Sequence, residues 1–346
     1  MKIAHFLSYD GNPREAAEQV VAQESVGLDI VWVAEAYGFD SPTLMGYLAA
    51  RTTDVQIGAA ILNVYSRTPG AIAQTAAGLD NVSAGRAILG LGASGPQVIE
   101  GFHGVPYDKP LTRTREVIDV VRMALRRERL HLDGRTITLP LPADQGTGLA
   151  KPLKLINEPE RSSVPIFMAS LGQKSVATAA EIADGWLPHL FIPERAEQVW
   201  GDALADGRAK RSDDLGTLDV VAGGLLMITD DQSHATAALQ ASRQIAALYV
   251  GGMGARDKNF YNDLWRDYGF EDEAATVQDL YLSGDKAEAA ATFDGDTIAR
   301  MNLVGDEAFV RGRIEAFRNA GVSILNVMPV GPDPLGDLAT FKSWLD

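Results

Sequence analysis

The sequence predicts an α/β fold, a (β/α)8 barrel, on three observations. Eight short apolar runs alternate with amphipathic stretches of helical period. An apolar run at 87–91 is followed by glycines and small polar residues, and an amphipathic stretch begins near Pro96. This pattern is typical of a buried parallel strand that is followed by a tight loop and a helix. The segment 164–186 repeats this pattern, with Gly172 and Lys174 opening the helix. The two junctions predict a ligand held by loops at the carboxyl ends of strands.

The first half of the chain supplies four strands and four helices in alternation. The predicted strands, each a short apolar run, are 2–7, 29–33, 55–62 and 87–91. The predicted helices, each amphipathic, are 14–26, 41–52, 69–82 and 112–127. Pro69 suits the first turn of the third helix, because its missing N–H has no partner there in any case.

The second half continues the alternation and completes the strand count. The predicted strands are 166–169, 186–191, 219–227 and 323–327. The predicted helices are 174–183, 194–209 and 307–319. A doubly wound open sheet is the alternative architecture, and eight strands favour the barrel because open sheets of that type usually have fewer.

Two segments exceed an ordinary loop and are predicted to be insertions in a single barrel domain spanning 1–346. The first, at about 105–160, contains a helix and a small hairpin around Asp133–Gly134. The second, at about 251–299, is polar and rich in Gly and Asp, with interleaved aromatic residues. Long insertions in a compact domain are usually functional, as lids or binding loops.

Composition limits the classes of function. The 346 residues carry a net charge of −15, which disfavours nucleic acid and anionic membranes as partners. Cysteine is absent, so disulfides and thiolate metal sites are excluded. The amino terminus lacks a signal-peptide pattern, and no apolar run is long enough to span a bilayer. We therefore expect a cytoplasmic protein that acts on a small-molecule substrate, with homo-oligomer formation left open.

The glycines after the fourth strand allow a bound group to approach the backbone. Gly90, Gly92 and Gly95 match a dinucleotide fingerprint by letters, but their place after the fourth strand rather than the first argues against one. The segment around Gly172 and Lys174 is suited to bind a phosphate. It combines small residues, free backbone N–H groups at the start of a helix and one lysine. The alternative is that these glycines only form turns and Lys174 is solvated.

Candidate catalytic residues follow the first two strands. His5 lies within the first strand and could face a ligand if it points into the barrel, although a buried core histidine is the commoner outcome. Glu35, with Tyr37, directly follows the second strand, where barrel active-site residues lie. Glu35 could be an acid–base group, a hydrogen-bonding anchor or a loop charge.

Other polar residues at strand ends have both a functional and a structural interpretation. Asn63 and Tyr65 follow the third strand and could contact the edge of a heterocycle. His103 lies in the loop after the Pro96 helix, and His189 lies near the end of the sixth strand. The five histidines show no metal-ligand spacing, so the sequence predicts no metal site.

Four ordered motifs carry a family resemblance. They are AEAYGFDSP (34–42), IGAAILNVYSRTP (57–69), LDNVSAGRAILGLGASGPQVIEGFHGVPYDKPLTRTRE (79–116) and AEIADGWLP (180–188). With these motifs the chain resembles the luciferase-like superfamily of flavin and deazaflavin oxidoreductases. It is most similar to the coenzyme F420-dependent branch that includes methylenetetrahydromethanopterin reductases.

The resemblance implies a (β/α)8 barrel with the cofactor ring at the carboxyl ends of the strands. It also implies a bulge in the third strand, with a non-prolyl cis peptide bond at Ala60–Ile61 against the ring, and the cofactor phosphate at the 170–174 junction. The cofactor-binding residues it implies are Ala60, Ile61, Asn63, Gly92, Ala93, Ser94, Ala169, Ser170, Leu171, Gly172, Gln173 and Lys174. Arg256 and Lys258 are candidates for contact with the acidic tail of F420.

The function implied is hydride transfer between coenzyme F420 and a small organic substrate, with Glu35 and His5 as candidate catalytic residues. Sugar-phosphate dehydrogenases of this superfamily have a histidine after the acidic residue, whereas this chain reads Glu35–Ala36, so their activity is not carried over. An FMN-dependent monooxygenase is the first alternative. A non-redox barrel that binds a phosphorylated metabolite is the second.

Overall fold

The computed structural model describes residues 1–7 and 11–345. Its strands are β1 (Lys2–Leu7), β2 (Ile30–Val33), β3 (Gln56–Ala59), β4 (Leu62–Asn63), β5 (Ala87–Gly92), β6 (Leu132–Asp133), β7 (Thr138–Leu139), β8 (Ile166–Ala169), β9 (Gly185–Leu187), β10 (Asp219–Ala222), β11 (Leu225–Ile228), β12 (Leu303–Gly305), β13 (Ile324–Asn326) and β14 (Met328–Pro329). Its helices are α1 (Pro13–Glu24), α2 (Ser41–Arg51), α3 (Pro69–Val82), α4 (Pro96–Gly101), α5 (Pro110–Leu125), α6 (Gln173–Ile182), α7 (Pro193–Arg208), α8 (Gln232–Ala247), α9 (Phe260–Asp267), α10 (Glu271–Ser283), α11 (Lys286–Thr292), α12 (Gly295–Arg300), α13 (Glu307–Asn319) and α14 (Pro334–Ser343).

Eight strands of the described chain form a closed parallel barrel. Hydrogen-bonded neighbours follow the order β3, β2, β1, β13, β10, β9, β8 and β5, and pairing of β3 with β5 completes the circle. The predicted (β/α)8 fold is therefore confirmed, and the open-sheet alternative is wrong. Closure leaves none of these eight strands with an unpaired edge along its paired length.

Large aromatic side chains fill the middle of the barrel. Trp32 and Phe167 lie in the interior cluster with their ring centroids 5.4 Å apart. A Cβ on Gly58 would overlap the Trp32 indole, and a Cβ on Gly185 would overlap the Phe167 ring. A glycine on one strand thus makes room for an aromatic ring on the neighbouring strand. These rings fill the interior of the barrel below its carboxyl end.

The outer helices start where the sequence supplies capping groups. The Asp40 side chain accepts from the N–H of Thr43 at the start of α2, and Thr68 caps α3, in which Pro69 occupies the first turn as predicted. The apolar faces of these helices pack on outward-facing strand residues such as Val31 and Leu89, each at most 2% exposed.

A buried ion pair fixes the chain ahead of β8 to the barrel. The guanidinium of Arg161 donates to both oxygens of Asp80, which is fully buried on α3, and to the carbonyl of Ala87 on β5. Asp80 in turn accepts from the N–H of Ala87 at 3.3 Å. Removing the Arg161 charge leaves the Asp80 carboxylate buried and without its ion-pair partner.

The third strand is interrupted after Ala59 rather than running to 62 as predicted. The chain bulges at Ala60–Ile61, whose peptide bond is cis as the resemblance implied, and resumes as β4, which pairs with the end of β5. A Cβ on Gly90 would overlap the carbonyl oxygen of Ala59. Only glycine at position 90 therefore leaves room for this path of the backbone.

The predicted seventh strand, 219–227, divides at Gly223–Gly224. The first part, β10, belongs to the barrel, and the second, β11, leaves it to pair with β12 and β14 in a separate three-stranded parallel sheet. A Cβ on Gly223 would overlap the carbonyl oxygen of Asn326, and one on Gly224 would overlap that of Met301. Close approach of neighbouring backbones at this turn therefore depends on two glycines.

The two long segments contain more regular structure than loops alone. In 105–160, helix α5 is followed by the predicted hairpin, in which β6 and β7 pair antiparallel around Asp133–Gly134. Glu116 of α5 accepts from the backbone N–H groups of Arg135 and Thr136 and so holds the hairpin on the helix. The segment 251–299, expected to be polar loops, forms the helices α9 to α12.

Two cavities lie away from the carboxyl ends of the barrel strands. One, of about 440 Å³, lies between α5 and the β6–β7 hairpin, and the other, of about 220 Å³, lies at the amino-terminal end of the barrel beside Lys2 and Asp219. Across residues 1–7 and 11–345, no helix combines the length and the apolar character needed to cross a membrane.

Candidate active site

Small residues from three strands form a wall at the carboxyl end of the barrel. Ala60 and Ile61 form the bulge beyond β3, and Gly92 ends β5. A Cβ on Gly92 would lie 3.1 Å from Cδ1 of Ile61 and 3.4 Å from Cβ of Ala169, so the ends of β3, β5 and β8 are in contact. Ala93 continues this edge. The structure thus brings together five of the residues predicted to bind the cofactor, in a surface without long side chains.

Asn63 organises the loop that follows this wall. Its side chain is 2% exposed, and its Oδ1 accepts from the N–H groups of Tyr65 and Ser66 at 3.1 and 2.7 Å. Its Nδ2 lies 3.4 Å from Nε2 of His103. The Asn63 carbonyl group is therefore engaged with the backbone, and the amide nitrogen joins the loop to the segment after α4.

Two tyrosines hold the loop after β5 in place. Ser94 has a positive φ of 58°, and its carbonyl accepts from the hydroxyl of Tyr107 at 3.1 Å. The Tyr65 ring lies 5.3 Å from that of Tyr107, and its hydroxyl donates to the carbonyl of Asp108 at 2.7 Å. Burial raises the pKa of Tyr107 to about 12. Tyr107 therefore stays protonated and remains a hydrogen-bond donor to Ser94.

The junction between β8 and α6 combines a buried hydroxyl with an uncapped helix start. Ser170 is 9% exposed, and its Oγ has no hydrogen-bond partner in the described chain. No side chain caps α6 at Gly172, and within the same residues the N–H groups of Gln173 and Lys174 have no partner. These donors and the helix dipole favour an anion.

Not every residue of this junction turns toward the same space. The Gln173 side chain donates to the carbonyl of Val199 on α7 at 2.6 Å, and the carbonyl of Leu171 accepts from the indole of Trp200 at 2.7 Å. Lys174 is exposed. The side chain of Gln173 is therefore used to hold α6 against α7, which leaves its backbone N–H as the group able to meet a ligand.

Glu35 forms a two-pronged ion pair at the end of β2. Its oxygens accept from the two terminal nitrogens of Arg67 at 2.5 and 2.9 Å, and one also accepts from the N–H of Ser41 at 2.8 Å. The hydrogen bond to Glu35 raises the pKa of Arg67, so this arginine stays charged. Both Glu35 oxygens are occupied, and the arrangement favours the predicted hydrogen-bonding anchor over an acid–base group.

His5 does not point into the barrel. Its neighbours Ala4 and Phe6 face the interior, whereas its Nδ1 lies 2.6 Å from Oε1 of Gln23 on α1. Burial lowers the pKa of His5. His5 therefore does not face a ligand in the barrel, because strand alternation places its side chain outward, between β1 and α1.

Exposed aromatic residues flank the mouth beside Glu35. Tyr37 and Phe102 are 64% and 62% exposed, with ring centroids 6.4 Å apart, and Phe102 meets the ring of His103 edge-on. Phe39, in the same loop as Tyr37, is 80% exposed. The loops after β2 and α4 thus present an apolar rim.

Two further polar side chains lie at the mouth, His189 after β9 and Asn326 at the end of β13. The sequence leaves His189 with both a functional and a structural interpretation, and it does not single out Asn326. Asn326 lies two residues beyond Ile324, which faces the interior, so the period-two alternation of the last strand held the signal. His189 lies two residues beyond Leu187, which also packs against the interior cluster.

The charged candidates in the second long segment are partly engaged. Arg256 forms an ion pair with Asp279 on α10, and Lys258 lies at a bridge with Ala255. Within residues 1–7 and 11–345, no group of three His, Asp or Glu side chains is placed to hold a metal ion. The chemistry of the mouth rests on small residues, hydrogen-bond donors and aromatic rings.

Comparison with known proteins gives this geometry a family. The model of the luciferase-like monooxygenase family matches residues 1–323. A Mycobacterium tuberculosis protein assigned as a coenzyme F420-dependent oxidoreductase is 39% identical over 347 residues, covering 98% of each chain.

Solved structures agree with the barrel. The coenzyme F420-dependent tetrahydromethanopterin reductase of Methanopyrus kandleri superposes with a TM-score of 0.80 at 25% identity, covering 98% of this chain and 96% of that one. An F420-dependent secondary alcohol dehydrogenase, solved with an F420–acetone adduct, shares the fold with a TM-score of 0.76 at 19% identity, covering 100% and 99%. The chain belongs to the luciferase-like monooxygenase family of enzymes.

Proposed function

We propose that this enzyme is a coenzyme F420-dependent oxidoreductase that exchanges a hydride with a small organic substrate at the mouth of the barrel. The observation that carries the proposal is the pairing of the small-residue wall with the anion site at the start of α6. The relative at 39% identity, assigned as F420-dependent, favours the deazaflavin over FMN. We propose one domain spanning 1–346, with insertions at about 105–160 and 251–299.

The wall fits a flat cofactor ring. A Cβ on Gly92 would touch both Ile61 and Ala169, and Gly92 and Ala169 carry no side chain longer than a methyl group. A planar ring needs such a smooth apolar surface for contact over its whole face. We assign ring contact to Ala60, Ile61, Gly92 and Ala93, with Asn63 and Ser94 at its edge.

The β8–α6 junction fits the cofactor phosphate. Ser170 holds a buried hydroxyl without a partner among the described residues, and the backbone N–H groups of Gln173 and Lys174 open the helix beside it. A phosphate would satisfy these donors and gain from the helix dipole. Ala169, Leu171 and Gly172 shape this junction through their backbone.

The protein contributes positioning, and the deazaflavin, when bound, supplies hydride exchange without readily activating oxygen. The wall orients one face of the ring, and the Glu35–Arg67 pair fixes the loop that carries Tyr37. Tyr107 holds Ser94 and the chain beyond Gly92 in place. The apolar rim of Tyr37 and Phe102 reduces water at the mouth, which favours hydride transfer over side reactions.

An FMN-dependent monooxygenase is the second candidate, because the matched family model is described as a monooxygenase family. The phosphate site suits both cofactors equally. A non-redox barrel that binds a phosphorylated metabolite would use the same site without the ring wall. In all three candidate functions the substrate is a small molecule. We propose that the protein acts in the cytoplasm without nucleic acid or membrane partners. A homo-oligomer is compatible with all three functions.

A titration with F420 and FMN at matched salt separates these candidates. We expect F420 to bind at least tenfold more tightly, and reduced F420 to be consumed without oxygen when the substrate is present. Tighter binding of FMN, with oxygen-dependent product formation, would make the protein a monooxygenase. Binding of inorganic phosphate without either cofactor would support the non-redox alternative.

A further inference from the structure

Two buried polar atoms at the barrel mouth have no partner in the described chain: Nε2 of His189 and Oδ1 of Asn326. Asn326 ends β13 two residues beyond the interior-facing Ile324, and His189 follows β9 two residues beyond Leu187. Strand alternation directs the Asn326 side chain toward the interior, and His189 lies in the bend just beyond the end of β9. Leaving a buried polar atom unpaired is unfavourable, which makes such atoms natural contacts for a ligand.

A glycine lies between these two residues on the intervening strand. Val221 of β10 pairs with Ile324, which places Gly223 beside Asn326, and a Cβ on Gly223 would overlap the Asn326 carbonyl oxygen. Asp219 pairs with Gly185, so the same register continued brings Gly223 level with His189. With strands about 4.8 Å apart, the two backbones are about 10 Å apart, and the residue at this level of the intervening strand, Gly223, carries no side chain.

Asn326 stands across the mouth from the proposed ring wall, and His189 stands next to the wall. In the closed circle of strands, β13 is the fourth strand from β5 in either direction, so Asn326 lies opposite Gly92. His189 follows β9, the strand that pairs with β8 and sets Leu187 beside Ala169. A molecule lying against the ring would have its far side toward Asn326 and one edge toward His189.

The imidazole of His189 packs against two aromatic rings, one just before the second long segment and one within it. Its centroid lies 4.2 Å from that of Tyr249 and 5.7 Å from that of Tyr261. Asn259 joins these two tyrosines, because its Nδ2 donates to the Tyr249 carbonyl at 3.0 Å and its Oδ1 accepts from the Tyr261 N–H at 2.9 Å. Burial lowers the pKa of His189 to about 4, so the imidazole is neutral at neutral pH.

We infer that His189 and Asn326 bind the hydroxyl group of an alcohol, as the polar subsite for the substrate of the F420-dependent reaction; the inference rests on the proposed function for its role. Oδ1 of Asn326 accepts only, so its ligand must donate. Nε2 of a neutral imidazole either donates or accepts, and a hydroxyl complements both forms. A ketone offers an acceptor alone and would leave Oδ1 unpaired, so the subsite selects the alcohol over the matching ketone.

The test uses the full chain, labelled with 15N at its five histidines, and matched probe pairs. Cyclohexanol with cyclohexanone, and 2-propanol with acetone, are titrated with and without oxidised F420, and the imidazole nitrogen signals are recorded. We expect the alcohols to shift the His189 Nε2 signal and to bind about tenfold more tightly than the ketones. F420 binding is measured separately.

Two variants locate the effect. His189→Phe keeps a ring against Tyr249 and Tyr261, and Asn326→Leu keeps the side-chain size; each should weaken alcohol binding about tenfold and abolish the preference over the ketone. His234→Phe, on the exposed surface of α8, should change neither. Circular dichroism establishes that each variant is folded.

The outcomes separate the two proposals. F420 binding with equal affinity for alcohol and ketone, or with no His189 shift at any probe concentration, would overturn the hydroxyl subsite and leave the proposed function intact. Alcohol preference that depends on His189 and Asn326, in a protein that does not bind F420, would support the subsite and overturn the proposed function.

Discussion

At the scale of the residue, glycines decide the geometry of the mouth. Position 90 must lack a side chain because the carbonyl of Ala59 occupies that space, and Gly92 must lack one because Ile61 and Ala169 meet over it. The sequence predicts that glycines here permit close approach, but it does not say what approaches. The neighbours come from a strand about thirty residues away and another about eighty residues away, so only the fold reveals them.

Gly90→Ala should destabilise the protein. The added methyl group would overlap the Ala59 carbonyl, and we expect the free energy of unfolding in urea to fall by about 2 kcal/mol, as for other overpacked sites. Gly95→Ala is the matched control, because a Cβ there meets nothing within 4 Å. Equal stability of the two variants would show that the backbone at Ala59 can shift with little loss in the free energy of unfolding.

Gly172→Asp should weaken F420 binding by a factor of ten or more. A Cβ at Gly172 meets only Oγ of Ser175, at 3.8 Å, so the side chain fits and its effect is electrostatic repulsion of the phosphate. Gly172→Asn has the same shape and helix-capping ability without the charge, and should bind F420 far more tightly than the aspartate variant. Unchanged affinity in Gly172→Asp would place the phosphate elsewhere.

At the scale of the element, sequence periodicity locates strands better than it locates their ends. The run 219–227 has one hydrophobic character, yet the chain leaves the barrel at Gly223–Gly224 because neighbouring backbones approach there. The sequence of β1 alone does not predict whether the His5 side chain points into the barrel or outward, because its partner, Gln23, lies on α1. The partner of Glu35 was missed for the same reason, since Arg67 is 32 residues away.

The Asp80–Arg161 pair should hold the segment before β8 to the barrel. Arg161→Met keeps most of the side-chain bulk but leaves the fully buried Asp80 carboxylate unpaired, and we expect a loss of about 3 kcal/mol in the free energy of unfolding. Arg318→Met, which removes the exposed pair with Glu315, should cost less than about 1 kcal/mol. Similar losses in both variants would contradict a special role for Asp80.

The pH dependence of stability should report the buried histidine His189. Its pKa is lowered from 6.5 to about 4 by burial, so between these values the unfolded chain binds more protons than the folded one. Stability is thus complete above pH 6.5 and is lost as the pH falls, by at most about 1.4 kcal/mol per pH unit for one histidine. Urea unfolding between pH 6.5 and 5 should show a shallower loss in His189→Phe than in the wild type; parallel curves would mean that His189 is protonated without penalty.

At the scale of the whole molecule, eight alternating units predict the barrel, and the resemblance places its site at the strand carboxyl ends. What could not be predicted is the use of the second long segment. Its polar composition indicated loops, whereas its apolar residues, such as Trp265 and Phe293, pack against one another and form helices. Through Tyr261, with Tyr249 just before it, this segment reaches His189, a contact between residues at least 60 positions apart.

The mouth of the barrel has a wall of mostly small residues on β3, β5 and β8, with His189 after the adjacent β9 and Asn326 across the mouth on β13. We propose that a deazaflavin lies against this wall, and a crystal structure of the enzyme with F420 is the most direct test. We expect the ring to lie against Ile61, Gly92 and Ala169, with the phosphate at Ser170 and the start of α6. Density for F420 in the cavity between α5 and the β6–β7 hairpin, with an unchanged mouth, would contradict it.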